Sequence, residues 1–264
     1  MLARKTLPEQ FLRWNRRWGA PFGRNRLPHR LALTVAPARW RPWIVGPFGF
    51  QPDNSATRRF EYPWAFHATT LRRGMTAVDL GGSLAGLQFV LDKAGLAVVN
   101  VDPSDAAPMG WPVDAATFRA LNRAFGTNVE LRRAFLEDAG VEDASVDRVF
   151  CISTLEHVPD DAIASILREI RRILRPGGQC VLTVDLFLDL APFTDQATNA
   201  SGRNVDLSWV VDASGLTLTT GNRGELNGFP EFDPRRVQAS LGDLLYATHV
   251  PALTQALVLT RPTS

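Results

Sequence analysis

The chain has 264 residues, of which 45% are hydrophobic and 21% are charged, enough apolar material for one α/β domain or for a domain with an appendage. This composition excludes a disordered chain and a small disulfide-stapled fold, and no apolar run reaches the roughly 18 to 20 residues of a membrane-spanning helix. The net charge of +2 conceals an uneven distribution, because residues 1–60 sum to +10 and residues 61–264 to −8. The basic part could face phosphate, lipid headgroups, an acidic substrate or the acidic remainder of the chain.

Residues 1–60 are predicted to form a basic, Trp- and Pro-rich extension that acts as a lid or docking segment, with residues 61–264 as the main domain. Eight prolines and glycines from Pro21 to Gly49 argue against long regular elements there. The exception is an amphipathic helix predicted from Leu7 to Trp18, with an aromatic edge and flanking arginines. This helix could rest on an anionic membrane surface or pack on the body as a lid, and its shortness favours the lid.

The start of the chain is charged and lacks the apolar stretch of a secretory signal. We therefore expect a cytoplasmic protein, with peripheral contact at the inner membrane surface through residues 7–18 as the alternative. Cys151 and Cys180 each lie in an apolar run, which predicts buried thiols in a reducing compartment.

From Met75 onward, short apolar runs alternate with helical periodicity, which is typical of repeated βα units and a mainly parallel sheet. The predicted strands are 76–80, 96–101, 129–136, 147–153, 179–185 and 253–260; the predicted helices begin after the Gly-rich turn 81–86 and at Asp114, Asp160 and Asp206. We expect Pro176-Gly177-Gly178 to end the helix that begins at Asp160. Residues 186–203 and 221–234 are predicted to be long loops.

The first turn and the second strand together predict an adenosine-containing cofactor. Gly81 and Gly82 let the backbone turn sharply and approach a ligand, and the helix that follows offers unpaired N–H groups. About twenty residues later, Asp102 ends the second strand, where a carboxylate can accept both hydroxyls of a ribose. The alternative is a glycine turn needed only for packing and a solvated acid at a strand end.

Several further motifs, in order, resemble those of class I S-adenosylmethionine-dependent methyltransferases of the type 11-like group. The motifs are Val78-Asp79-Leu80-Gly81-Gly82, Val101-Asp102, Glu137-Asp138-Ala139, Val146-Asp147-Arg148-Val149, Ser153-Thr154-Leu155-Glu156-His157-Val158 and Ile173-Leu174-Arg175-Pro176-Gly177-Gly178. The resemblance spans about residues 75–185. It implies a doubly wound, Rossmann-like, mainly parallel seven-stranded sheet with helices on both faces and S-adenosylmethionine as cofactor.

The resemblance also implies roles for individual residues. Asp79 would orient the amino group of the cofactor, and Asp102 would hold the ribose. The backbone at Gly81, Gly82 and Ser83 would lie against the methionine part of the cofactor. Asp138 and Ala139 would meet the adenine, and Ser153 would open toward the transferred methyl group. The family's loop usually carries three glycines, whereas this chain has Ser83 and Ala85 at the later two positions. A degenerate cofactor-binding domain without turnover is therefore one alternative function.

His157 is the candidate general base, because methyl transfer to a hydroxyl needs alignment and removal of one proton, and histidine accepts protons near neutral pH. The alternative is a structural histidine at the start of a helix. Some relatives bind a metal through Glu-x-x-Glu-His at this place, but here the first position is Ser153. Even with His249 as a distant ligand the site is incomplete, so we predict no metal.

The predicted function is O-methylation of a small-molecule or saccharide hydroxyl. Loop aromatics could line the acceptor pocket: Phe187, Phe193, Trp209, Phe229 and Phe232. The aromatic segment Arg59–Trp64 could cover the cofactor or anchor the extension. A nucleic-acid methyltransferase, suggested by the basic extension with Trp14, Trp18, Trp40 and Trp43, is disfavoured because the body is acidic and the fourth strand lacks the Pro-Pro motif of amino-directed enzymes.

Overall fold

The computed structural model describes residues 1–24, 27–37, 41–50, 55–107, 111–247 and 250–263. It divides the chain into two compact units. Residues 8–139 form the N-terminal unit, and residues 140–264 together with residues 1–7 form the C-terminal unit. The domain boundary at residue 60 stays a prediction about organisation in sequence; the structure groups residues 8–60 with the first three strands.

The N-terminal unit opens with four helices: α1 Glu9–Trp18, α2 Leu27–Val35, α3 Arg41–Val45 and α4 Arg58–His67. The predicted first helix is confirmed, beginning two residues later because Pro8 occupies the N-cap and ending at Gly19 in the left-handed conformation. Its buried face consists of Phe11 and Trp14. Phe11 packs on Phe60, with ring centroids 6.0 Å apart, so the aromatic edge of α1 lies on α4.

Three parallel strands follow in this unit. They are β1 Thr76–Leu80, β2 Ala97–Val101 and β3 Glu130–Arg132, connected through helices α5 Leu87–Lys93 and α6 Ala115–Phe125. β1 pairs with β2, and β2 with β3, both parallel. The cap of α6 is as predicted, since the Asp114 carboxylate accepts from the Thr117 N–H at 2.7 Å. β3 is shorter than the predicted strand 129–136, because residues 136–138 form a 3₁₀ turn.

The C-terminal unit contains the remaining elements. These are β4 Val146–Ile152, α7 Asp160–Ile173, β5 Leu174–Phe187, β6 Thr198–Asn199, β7 Gly202–Arg203, α8 Leu207–Ser214, β8 Thr217–Thr220, α9 Pro234–Ala239, β9 Tyr246–Ala247 and β10 Ala252–Thr260. β4 and β5 are parallel, whereas β10 runs antiparallel to β5, β8 and β9. β6 and β7 form a two-residue hairpin within the predicted loop 186–203. The predicted helix at 206–214 and strand at 253–260 are confirmed.

The boundary between α7 and β5 corrects one expectation. The helix ends at Ile173, and Leu174 is already extended with φ −63° and ψ 134°, so Pro176-Gly177-Gly178 lies inside β5 rather than ending the helix. Proline disfavours the helical conformation of the residue before it, which places the break upstream of Pro176. The Arg261 guanidinium then donates to the carbonyls of Arg171 and Arg172, at 2.9 and 3.2 Å.

Both cysteines are buried, as predicted: Cys151 lies in β4 and Cys180 in β5. The fold class is confirmed as a mainly parallel α/β architecture. Within the ranges described, no helix has both the length and the apolarity that crossing a membrane requires.

Candidate functional site

The turn after β1 is shaped by the absence of a side chain at residue 82. A Cβ atom on Gly82 would lie 2.5 Å from Asp79 Oδ2 and 2.7 Å from Asn100 Nδ2, which is too close for any side chain. Gly81 has φ 69° and Ser83 has φ 44°, so the backbone passes through the left-handed region twice. The turn therefore approaches the ends of β1 and β2 closely.

A buried amide network holds this turn in place. Asn100 Nδ2 donates to Gln88 Oε1 at 2.9 Å and to the Ser83 carbonyl at 3.2 Å. Gln88 Nε2 donates to the carbonyls of Ser83 and Ala85, each at 2.9 Å. Asn100 and Gln88 were not among the predicted site residues. Their signal in the sequence is a polar residue within an otherwise apolar strand and another within an apolar helix.

The side chain of Asp102 accepts a hydrogen bond from the same turn. Its Oδ2 accepts from the Ser83 N–H and its Oδ1 from the Ser104 N–H, both at 2.8 Å, and the residue is 4% exposed. Each carboxylate oxygen can accept a second hydrogen bond. Asp102 thus anchors the turn and retains acceptor capacity for a ligand.

Asp79 lies beside Asp102 and is 2% exposed. Burial and, second, the charge of Asp102 raise the pKa of Asp79 from 3.8 to about 8. Asp79 is therefore mainly protonated at pH 7 in the folded protein.

This protonation predicts a pH dependence of stability. Because the folded-state pKa is raised above the unfolded value, the native state holds a proton that the unfolded state has lost between about pH 4 and pH 8. The Asp79 contribution to the free energy of unfolding is thus fully present below this window and falls by about 1 kcal/mol per pH unit as the pH rises through it. Asp79→Asn removes the ionisation. In denaturant unfolding at several pH values, the free energy of unfolding of the variant should therefore rise relative to that of the wild type as the pH approaches 8. A constant difference across that range would contradict the assignment.

Three buried polar atoms around the turn have no hydrogen-bond partner within the described part of the chain: Asp79 Oδ2, Ser83 Oγ and Asn100 Oδ1. Buried polar atoms are nearly always hydrogen-bonded in folded proteins. Their grouping marks a place where a polar ligand would complete the structure.

Asp138 and Ala139 follow β3 in the 3₁₀ turn of residues 136–138 and at its end. The Asp138 side chain is exposed. The Ala139 N–H donates to the Leu136 carbonyl at 3.3 Å, and its own carbonyl accepts from Arg132 Nη1 at 2.9 Å. The long Leu136 contact is a weak hydrogen bond, so the predicted adenine-side donor is only loosely engaged.

In the C-terminal unit, Ser153 follows β4 directly. It is buried and has φ 44°. Its N–H is shared between the Thr183 carbonyl at 2.9 Å and Thr183 Oγ1 at 3.2 Å. β5 therefore fixes the backbone at the end of β4.

His157 ends a 3₁₀ turn of residues 155–157 and is exposed. Its Nδ1 lies 2.7 Å from the Ser201 carbonyl oxygen, next to the β6–β7 hairpin. A carbonyl can only accept, so Nδ1 carries the proton and, in the neutral ring, Nε2 carries the lone pair. This orientation suits a general base acting through Nε2. The contribution of Ser201 comes from its backbone and has no side-chain signal in the sequence.

The hairpin approaches His157 through Gly202. Gly202 has φ 137°, and a Cβ atom there would overlap the Glu156 carbonyl oxygen. Asn199 Oδ1 accepts from the N–H groups of Ser201 and Gly202, at 2.8 and 3.1 Å, which fixes the turn.

Gly202→Ala should displace the hairpin and lower the free energy of unfolding by about 2 to 4 kcal/mol, since both the backbone conformation and the close contact exclude a side chain. Gly242→Ala is the matched control, because nothing lies within 4 Å of a Cβ at that position. Thermal and urea unfolding of both variants measure the effect. Equal stability of the two variants would show that the hairpin tolerates the side chain.

A metal site does not assemble around His157 in the described residues. The neighbouring Glu156 is buried, and its Oε1 accepts from the Asp185 N–H at 3.0 Å. No group of three or more His, Cys, Asp or Glu side chains suited to a metal is present in the described ranges. His249, the other ligand considered, lies outside them.

The aromatic segment before β1 is buried in α4. Tyr62 packs on Phe48 with centroids 4.9 Å apart, and Trp64 stacks on Phe60 at 6.1 Å. These contacts favour the anchoring interpretation over a cover for a cofactor.

The aromatics proposed for an acceptor pocket also pack internally in part. Phe187 and Phe229 are buried core residues. Phe193 and Phe232 contact each other edge to face, at 6.4 Å, against the cluster around Leu186. Trp209 is partly exposed.

Comparisons with known protein sequences show which proteins this chain resembles. Residues 78–182 match the family described as a methyltransferase domain. An ubiquinone biosynthesis O-methyltransferase of Pseudomonas paraeruginosa is 32% identical over 111 residues, which cover 42% of this chain and 44% of that protein. The corresponding protein of Hahella chejuensis is 32% identical over 106 residues, covering 40% and 41%. The similarity thus extends over less than half the length of these relatives.

Structural comparisons cover more of the chain at low identity. An S-adenosylmethionine-dependent methyltransferase from Mesorhizobium loti has a TM-score of 0.53 and 18% identity, covering 76% of this chain and 97% of that one. A methyltransferase-like protein from Bacillus halodurans has a TM-score of 0.52 and 14% identity, covering 77% and 99%. The [4+2]-cyclase SpnF has a TM-score of 0.56 and 14% identity, covering 77% and 80%. The fold is therefore shared with proteins named for different reactions.

Residues 78–182 are similar to a methyltransferase domain, and the fold is shared with S-adenosylmethionine-dependent methyltransferases. The resemblance found in the motifs of residues 75–185 is confirmed.

Proposed function

We propose that the protein is an S-adenosylmethionine-dependent methyltransferase that methylates a hydroxyl group of a small molecule or saccharide. The observation that carries the proposal is the turn after β1, where Gly82 admits no side chain and Asp102 accepts from the Ser83 N–H. Two acidic side chains, Asp79 and Asp102, and a glycine turn lie together at the carboxyl ends of β1 and β2, the edge at which sheets of this kind bind ligands.

The residues present fit S-adenosylmethionine. The cofactor has an amino group and ribose hydroxyls, which can donate, and the unpartnered Asp79 Oδ2 and Asn100 Oδ1 are buried acceptors. Asp79 would face the amino group, Asp102 the ribose hydroxyls, and the 81–83 backbone the methionine part. Asp138 and Ala139 would meet the adenine. When bound, the cofactor supplies an electrophilic methyl group on a sulfonium sulfur.

The acceptor chemistry is proposed from His157 and from the relatives' name. With Nδ1 held by the Ser201 carbonyl, Nε2 would accept the proton of an acceptor hydroxyl, and Ser153 would line the same region of the proposed reaction. The matched relatives are named O-methyltransferases, which agrees with a hydroxyl acceptor. A small-molecule acceptor and a cytoplasmic protein remain predictions within this proposal.

One observation favours a second candidate, a degenerate domain that does not transfer methyl groups. The Ser83 N–H donates to the Asp102 carboxylate, and Ser83 adopts φ 44° at a position where the motif of the resembled family usually has glycine. A turn fixed on the ribose-binding acid would hinder cofactor entry. Of the four tryptophans that suggested a nucleic-acid acceptor, Trp14 is buried, Trp43 is exposed and Trp40 lies outside the described residues.

The test is transfer of an isotope-labelled methyl group from S-adenosylmethionine to a panel of phenols, sugars, oligosaccharides and nucleic acids, read by mass spectrometry. The proposal predicts label on a hydroxyl oxygen of a small acceptor. Label on nucleic acid alone would overturn the acceptor class. Cofactor binding without transfer to any acceptor would favour the degenerate domain.

A further inference from the structure

The helical segment before β1 encloses a pocket that the proposed methyl transfer does not use. Its volume is about 420 Å³, and its lining comes from the end of α1, the turn after it and the start of α2. The lining residues are Asn15, Arg16, Gly19, Ala20, Gly23, Arg24 and His29. The volume is within the range of small-molecule sites. None of these residues belongs to the turn around Asp102.

The charge of the lining is basic. Arg16, Arg24 and His29 supply donors, and none of the described residues that line the pocket is acidic. Among the lining residues, Arg16 pairs with an acidic residue outside the pocket: it donates to the Glu9 carboxylate at 2.8 Å on the exposed side of α1. Guanidinium groups bind phosphate through parallel charge-assisted hydrogen bonds. The pocket is therefore suited to an anion.

Two polar atoms of the lining residues are buried without a hydrogen-bond partner among the described residues: Asn15 Oδ1 and His29 Nδ1. Asn15 Nδ2 donates to the Arg59 carbonyl at 2.8 Å, which fixes the amide so that Oδ1 is the unsatisfied acceptor. A fully ionised phosphoryl group offers that acceptor no donor, whereas a hydroxyl group does. The lining thus combines donors for an anion with an acceptor for a neighbouring hydroxyl.

We propose that this pocket binds a phosphate ester that carries a free hydroxyl group, with Arg16, Arg24 and His29 on the phosphate and Asn15 Oδ1 on the hydroxyl. The site is independent of the proposed function. Such a group occurs both in soluble polyol phosphates and in the phosphoglycerol headgroup of anionic lipids.

Exposed apolar side chains in the same helical segment allow a lipid headgroup to be tested as the source of the phosphate ester. Val35 of α2 is 84% exposed, Leu31 59% and Trp43 of α3 61%. Leu31 and Val35 are one helical turn apart, so they share a face of α2. A headgroup site would use these side chains to contact a bilayer, whereas a site for a soluble ester would not.

The experiment compares calorimetric titrations of the full chain with glycerol 3-phosphate and methyl phosphate, which differ in the hydroxyl groups. We expect saturable binding of glycerol 3-phosphate, about fivefold weaker binding of methyl phosphate, and at least tenfold weaker binding of both by Arg24→Gln. The matched control is Arg13→Gln, an exposed arginine of α1 outside the pocket. Equal losses for the two arginine variants, or equal affinity for the two phosphates, would overturn the proposal.

Sedimentation with phosphatidylglycerol and phosphatidylcholine vesicles distinguishes a lipid headgroup from a soluble ester as the ligand. Binding to phosphatidylglycerol that is weakened by Arg24→Gln and by Trp43→Ser identifies the headgroup as the ligand. Binding of glycerol 3-phosphate without vesicle binding identifies a soluble ester. Absence of both kinds of binding in a cooperatively folded protein would overturn the site itself.

Discussion

Replacement of His157 by glutamine is expected to lower methyl transfer by about 100-fold to 10,000-fold while leaving S-adenosylmethionine affinity unchanged. The reason is the fixed tautomer: Nδ1 is 2.7 Å from the Ser201 carbonyl, which leaves Nε2 to accept the acceptor's proton. Glutamine has no comparable base. Initial rates of labelled methyl transfer and cofactor titration measure the two quantities separately.

A structural role for His157 predicts a different pattern, which His157→Asn resolves. The asparagine amide can still donate to the Ser201 carbonyl from near the Nδ1 position but cannot take a proton. If the histidine is a base, this variant stays as slow as His157→Gln. Recovery of most of the rate by His157→Asn would show that the contact with Ser201 is what matters. His67→Gln, an exposed histidine of α4, is the matched control and should retain the wild-type rate.

Replacement of Asp102 by alanine should weaken S-adenosylmethionine binding by about 100-fold or more. Two charge-assisted hydrogen bonds to ribose hydroxyls would be lost, each worth about 1.5 to 3 kcal/mol. The same change frees the Ser83 and Ser104 N–H groups that the carboxylate now accepts at 2.8 Å. Calorimetric titration measures the affinity, and thermal unfolding measures the loss of anchoring in the turn.

The control for Asp102 is Asp105→Ala, which removes an exposed carboxylate three residues further along the chain. Asp102→Asn separates the two roles of the carboxylate, because the amide oxygen can still accept from one N–H group while the charge is lost. Unchanged cofactor affinity in Asp102→Ala would exclude this residue from the site.

The periodic and capped parts of the fold were predictable because local signals determined them. Asp114 and Gly126 bracket α6 as cap residues do, and the glycine turn with Asp102 identified one edge of the sheet. The start of β5 was not predictable in the same way. The sequence Pro176-Gly177-Gly178 usually interrupts regular structure, but backbone hydrogen bonds with Arg261 span it: the Gly177 N–H donates to the Arg261 carbonyl and the Arg261 N–H to the Gly178 carbonyl, each at 2.9 Å.

The parts of the candidate site that side chains form were predictable from the sequence, whereas the parts that backbone groups form were not. Asp102 followed from its predicted position at the end of the second strand, and Asp79 followed from the resemblance to the motifs of the methyltransferase family. The Ser201 carbonyl that orients His157 lies 44 residues further along the chain, and only the folded hairpin brings it near. The pocket around Arg24 was hidden for a related reason, since the prolines and glycines from Pro21 to Gly49 predicted an irregular segment where helices α2 and α3 form.

Calorimetric titration of the wild-type protein with S-adenosylmethionine shows whether the turn after β1 is a cofactor site. We expect saturable binding with one site per chain and a dissociation constant on the order of micromolar. Absence of binding in a protein that melts cooperatively would contradict it and would show that the turn at Ser83 closes the site.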